Sequence, residues 1–182
     1  MSEITFRRFK EEDIEPCTSI MKEAFDEDSM LFREIPDGPP GYDDGSFLKM
    51  NAVDSGADSF CIYVDGKLSG AVIVFCNPEK KENFLGCIFL SPSLRGKGIG
   101  KAVWTEVENM YPDVKVWRTE TPLYSRRNLN FYINKLGFMA YKITNAMDYE
   151  AAQVQFVKYM NKKGVTIQPP TKHCHTQYNS SK

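Results

Sequence analysis

Histidine is nearly missing from this chain. Its 182 residues include two, His173 and His175, both close to the C-terminal end. A Ser-His-Asp or Cys-His mechanism in the body of the protein is excluded, and so is a histidine-rich metal site. Proton chemistry must use Tyr, Asp, Glu, Cys, Lys, backbone or water. His173-Cys174-His175 offers three adjacent ligands with no partners upstream, which makes a poor metal site, so no metal is expected.

Long apolar runs are missing too. No stretch nears the roughly 18 residues that a membrane span needs. Met1 to Arg7 reads as a strand and lacks a signal peptide's apolar stretch. No Cys-x-x-Cys occurs among the five cysteines, and Cys17, Cys61, Cys76 and Cys87 sit inside apolar patterns, so reduced core thiols are expected in place of a disulfide frame. The 23 basic and 24 acidic residues leave a formal charge of −1, with no global pull towards nucleic acid or anionic lipid. The expectation is a cytoplasmic protein with no nucleic-acid and no membrane partner.

What is present suffices for a core. Hydrophobic residues make up 42% of the chain and aromatics 13%, which excludes disorder as its main state. The apolar periodicities predict the order β-α-α-β-β-β-α-β-α-β-β, a mixed α/β layout. Strands are expected at 3–9, 60–64, 68–76, 84–90, 114–121, 138–143 and 153–160. Helices are expected at about 11–26, 47–53, 99–110 and 129–136. Residues 27–44, rich in Pro and Gly, read as a long loop. Beyond Gly164 the composition turns polar, so a domain at 1–162 and a flexible tail at 163–182 are expected.

The strongest chemical signal is Leu90-Ser91-Pro92-Ser93-Leu94-Arg95-Gly96-Lys97-Gly98-Ile99-Gly100-Lys101. A buried strand ends in a glycine-rich turn that opens a helix. Unpaired backbone N–H groups and the helix dipole make such a turn an anion cradle. Glycine lets the backbone approach a bulky anion, and Arg95, Lys97 and Lys101 add charge. A Walker loop fails here, because Arg95 stands where its first Gly belongs and Ala102 follows the lysine. A Rossmann fingerprint starting at Gly96 would want Gly where Lys101 stands.

Arg95-Gly96-Lys97-Gly98-Ile99-Gly100 resembles the Arg/Gln-x-x-Gly-x-Gly/Ala signature of the GNAT acetyltransferase superfamily. Downstream, Phe131-Tyr132-Ile133-Asn134-Lys135-Leu136-Gly137-Phe138 resembles that family's Tyr-x-x-x-Gly-Phe segment, in the family's order and separation. The resemblance covers residues 3–160. It implies a central mixed sheet of about seven strands flanked by helices, with a splayed parallel pair at 84–90 and 114–121. It implies acetyl-coenzyme A as cosubstrate, its pantetheine along Ile88, Phe89 and Leu90 and its pyrophosphate on Arg95 to Lys101, that is Arg95, Gly96, Lys97, Gly98, Ile99, Gly100 and Lys101. A bulge in the first splayed strand would aim an N–H at the thioester oxygen. A homodimer through the C-terminal strands is a further implication.

Roles follow from the same resemblance. Tyr132 would protonate the leaving thiolate, a phenol of pKa ~10 facing a thiol of ~8.5. Where the family has Asn seven residues before this tyrosine, the chain has Ser125; Ser125 and Asn128 would contact coenzyme A in its place. Independently of the resemblance, the acceptor's proton needs a taker and no His is available, so Glu120 at the end of the second wedge strand is the first candidate for a base or water-orienting group, with Glu82 and Asp43 behind it. Charge agrees independently of the family. Residues 95–135 hold eight basic and four acidic side chains, and residues 23–44 hold eight acidic against Arg33 alone. A basic cofactor side and an acidic acceptor side suit an anionic donor and an amine. Two other readings stand beside an N-acetyltransferase: a non-catalytic acyl-coenzyme A-binding module, and a nucleotide-binding domain.

Overall fold

The structure, a computed structural model, describes residues 2–160. The tail at 163–182, with His173, Cys174 and His175, lies outside the described residues.

The apolar runs form strands of one sheet. In chain order these are β1 (Ile4–Arg8), β2 (Asp58–Val64), β3 (Lys67–Asn77), β4 (Glu82–Leu90), β5 (Val116–Pro122), β6 (Met139–Thr144) and β7 (Gln153–Tyr159). The sheet order is β1-β2-β3-β4-β5-β7-β6, antiparallel everywhere except between β4 and β5. The helices are α1 (Ile14–Arg33), α2 (Ser46–Leu48, continued by a π-helical stretch Lys49–Asp54), α3 (Ile99–Met110) and α4 (Arg126–Asn130, continued by a π-helical turn Phe131–Lys135). The expected element order and mixed sheet are both present.

β3 is apolar throughout because both of its faces are covered. On one face Ile62, Val72, Val74 and Leu85 pack with Val103, Trp104 and Val107 of α3 and with Trp117 and Phe156. On the other, Cys61, Ala71, Ile73, Cys87 and Phe89 pack with Cys17 and Met21 of α1 and Leu48 and Ala52 of α2. Period-2 alternation along each strand sends neighbouring residues to opposite clusters. Cys17, Cys61 and Cys87 are buried free thiols, as expected of core cysteines, whereas Cys76 is exposed near the end of β3.

Two departures from the sequence reading matter for the site. First, α1 does not stop near residue 26 but runs to Arg33, closing on Glu34 in the left-handed conformation (φ 62°). Nothing between 27 and 33 breaks a helix, and the Pro and Gly residues begin only at Pro36. Lys22 pairs with Asp26 one turn on (2.5 Å), and Arg33 sits in the last turn, where a cation suits the helix dipole. Two more turns of helix therefore carry acids that read as loop. Second, the register between β3 and β4 steps from Ile73↔Cys87 to Val74↔Leu85, so Gly86 is an extra residue, a β-bulge in β4. A Cβ at Gly86 would stand 2.5 Å from the Phe75 ring, which explains why the bulged residue has no side chain.

Candidate active site

β4 and β5 pair in parallel only at Glu82↔Val116, Asn83↔Trp117 and Phe84↔Arg118. The Thr119 hydroxyl then donates to the Leu85 carbonyl (3.0 Å), and beyond that bond the strands part. From the Gly86 bulge to Leu90, β4 has β3 on one edge and a gap on the other. A cavity of about 740 Å³ fills the gap and continues past the α3 N-terminus and α4. Its volume lies within the ordinary range for ligand sites, ~300–1,000 Å³.

The turn at its mouth has the conformation that the glycines allow. Gly96 and Gly98 both hold φ at 76°, and open space lies where a Cβ would stand. Gly98 caps α3 without any side-chain bond, and the first helical bond runs from the Ala102 N–H to the Gly98 carbonyl (3.2 Å). The N–H groups of Ile99, Gly100 and Lys101 thus have no helical acceptor. Gly100 serves a different purpose. A Cβ there would come within 3.1 Å of the Phe131 ring, so this glycine lets α3 and α4 pack closely.

Of the sequence-predicted binding residues, Ile88, Phe89, Leu90, Arg95, Gly96, Gly98, Ile99, Gly100, Lys101 and Asn128 line the cavity. Lys97 turns back to the Ser93 carbonyl (3.0 Å), and Ser125 is buried as the N-cap of α4; neither is part of the lining. Burial and the neighbouring Arg127 push the Arg95 guanidinium below its ordinary range. The Glu27 carboxylate pairs with both guanidinium groups, so part of that charge is met within the protein.

Tyr132 lies in the π-helical turn, where the Leu136 N–H reaches back five residues to the Phe131 carbonyl (3.0 Å). Its ring packs on Phe138 (5.7 Å) and Phe156 (5.4 Å), and it lines the cavity. Packing and cavity exposure coexist in this residue. Burial, then the nearby Cys87, push the phenol well above its ordinary range, with Thr119 acting in the opposite sense. The Cys87 thiol is itself pushed up to about 12 by burial.

A family model described as the acetyltransferase (GNAT) family matches residues 19–138. The chain belongs to the GNAT acetyltransferase family. It is an acyltransferase at the level of that family. YrkN, an uncharacterized protein of Bacillus subtilis (strain 168), is 36% identical over 130 residues, 71% of this chain and 69% of its own. Among solved structures, the PaiA N-acetyltransferase of Thermoplasma acidophilum in complex with coenzyme A superposes with a TM-score of 0.66 at 15% identity, covering 87% of this chain and 99% of that one. The ribosomal-protein-S18-alanine N-acetyltransferase of Escherichia coli superposes with a TM-score of 0.65 at 14% identity, covering 90% and 99%. At these identities the two structures speak for the fold.

Within this GNAT domain, Glu120 does not reach the cavity. Burial alternates along β5, and Glu120 is an exposed residue between buried Thr119 and Thr121. It accepts a hydrogen bond from Gln155 on β7 (3.3 Å) and is not part of the lining. Glu82 is paired with Arg118 (2.9 Å), and Asp43 is likewise absent from the lining. The carboxylate that does line the cavity is Asp28, with Ala24 and Phe25 on the same face of α1. Its neighbour Glu27 pairs with Arg95 and with Arg127 (3.4 Å). The spacing 24, 25, 28 is a helical face and was readable as such, but only once α1 is known to continue past residue 26.

Proposed function

We propose that the protein transfers an acetyl group from acetyl-coenzyme A directly to an amine, with no covalent enzyme intermediate. The observation that carries this is the open edge of β4 leading to the glycine turn. Pantetheine amides would pair with Ile88 to Leu90 as an added strand does, and the pyrophosphate would take the free N–H groups at 99–101 with Arg95 and Lys101. The Gly86 bulge stands where it can turn a backbone N–H towards the thioester oxygen, an oxyanion donor held in place before the reaction. The wedge aligns thioester and amine, so proximity supplies much of the rate. The residues fall within a single domain at 1–162.

Tyr132 supplies the proton for the departing sulfur. A phenol raised by burial is a weak acid, yet the same burial strengthens the base it serves. A thiolate leaving in the same dry wedge would be raised in the same direction as the phenol.

Millimolar acetyl-coenzyme A should raise the thermal unfolding midpoint, since a ligand bound only to the folded state stabilises it by mass action. Thiol release with a panel of amines then tests transfer. An unchanged midpoint with acetyl-coenzyme A, beside a raised one with ATP, would overturn the assignment. Binding without turnover of any amine would favour a sensing module.

A further inference from the structure

Asp28 is in an unusual electrostatic position. One carboxylate oxygen accepts the Ser125 hydroxyl across 97 residues of sequence (2.5 Å). The other, Oδ1, is buried and has no hydrogen-bond partner. An ionised carboxylate offers about four acceptor sites. Leaving most of them dry and empty is costly, and folded proteins tolerate it where a ligand will supply the donors. The charged neighbours do not fill the gap. Arg127 of α4 acts on Asp28 through space, but its guanidinium is bonded to Glu27. Tyr124 is close enough to feel the Asp28 charge but is held under the Arg33 guanidinium, 5.0 Å from its ring. Asp28 is itself among the residues that line the cavity.

We propose that Asp28 receives the ammonium group of the acceptor and takes its proton, a reading that rests on the acetyl transfer proposed above. A cation bearing several N–H donors is what an orphaned carboxylate oxygen calls for. Burial supports the same role, because it raises the carboxyl above its usual range and lowers a desolvated ammonium, bringing the two proton affinities together. The acceptor arrives as R–NH3+. Asp28 takes one proton and becomes neutral, and the freed lone pair forms the C–N bond as the thioester C–S bond breaks. The second nitrogen proton ends on sulfur through the Tyr132 hydroxyl, which gives its own proton and regains one. Asp28 then releases its proton to water. The sum is amide, thiol and one proton.

The test is Asp28→Asn beside Asp28→Ala. A carboxyl raised by folding favours the native state below the ordinary carboxylate range, and that contribution is lost as pH rises through the folded value. Near neutral pH both variants should therefore melt above wild type, and the gap should close near pH 4. A carboxylate with a purely structural role would give variants that melt lower. n-Butylammonium chloride, set against sodium chloride with and without coenzyme A, should raise the wild-type midpoint and neither variant's. Thiol release from acetyl-coenzyme A with n-butylamine should fall about 10²-fold or more in both variants. Their residual rate should climb roughly tenfold per pH unit below the amine's pKa, tracking free amine. Variants that melt lower, or an n-butylammonium shift absent from wild type or equal in all three proteins, would overturn the role. So would a tenfold loss of coenzyme A affinity in the variants, which would hand the orphan oxygen to pantetheine. Failure of wild type to bind acetyl-coenzyme A would instead sink the transferase reading, and the stability and n-butylammonium measurements would still judge Asp28 alone.

Discussion

Tyr132 is held in place by its ring. Three aromatic neighbours, Phe131, Phe138 and Phe156, fix the ring within 5.7 Å centroid distances, and the residue also lines the cavity. Tyr132→Phe keeps that packing and removes only the hydroxyl. The fold and acetyl-coenzyme A affinity should survive, and kcat should fall about 10²–10⁴-fold with KM nearly constant. A loss confined to KM would mean that the hydroxyl holds substrate. Because folding raises this phenol, its acid form persists through neutral and mildly alkaline pH. The alkaline limb of wild-type activity should therefore not report the titration of Tyr132, and a profile falling near pH ~10 only when Tyr132 is present would contradict this.

At the scale of elements, two glycines two residues apart do different work. Gly98 needs its positive φ, so Gly98→Val strains the turn and places a branched side chain where the proposed pyrophosphate would lie. Coenzyme A affinity should drop tenfold or more, about 1.4 kcal/mol or above. Gly100→Leu should instead push Phe131 away, lower the melting point and disturb Tyr132 next to it. Isothermal titration and thermal melts separate the two outcomes, and equal affinity loss without destabilisation in both would erase the distinction. The contrast also shows what the sequence made legible. The turn at 95–101 and the segment at 131–138 could be read because their backbone conformations demand particular residues in a row. Asp28 could not. Its role depends on where α1 ends and on a contact with Ser125 far along the chain, and neither leaves a local pattern. Glu120 lies off the site for a related reason: the end of β5 is legible in the sequence, but Glu120 falls on the strand's exposed face, away from the cavity.

At the scale of the whole molecule, the wedge belongs to the fold itself. Two separate apolar clusters hold the sheet from either side, and β5 is locked to β7 along its full length, from Val116↔Tyr159 to Pro122↔Gln153. The Thr119–Leu85 bond marks where pairing with β4 stops. A cleft built this way need not be opened by its ligand, so little ordering cost falls on binding. The same architecture leaves a mark in time as well as in space. Along Cys87 to Leu90, the backbone N–H groups that point to the gap have no strand opposite them. Their deuterium uptake should be governed by local exposure, and should run far ahead of the amides that β4 shares with β3, which wait for rare large openings. Acetyl-coenzyme A should slow the first set and leave the second almost untouched. The central strand of this sheet would then keep two clocks, one on each edge, and only one of them would answer to the ligand.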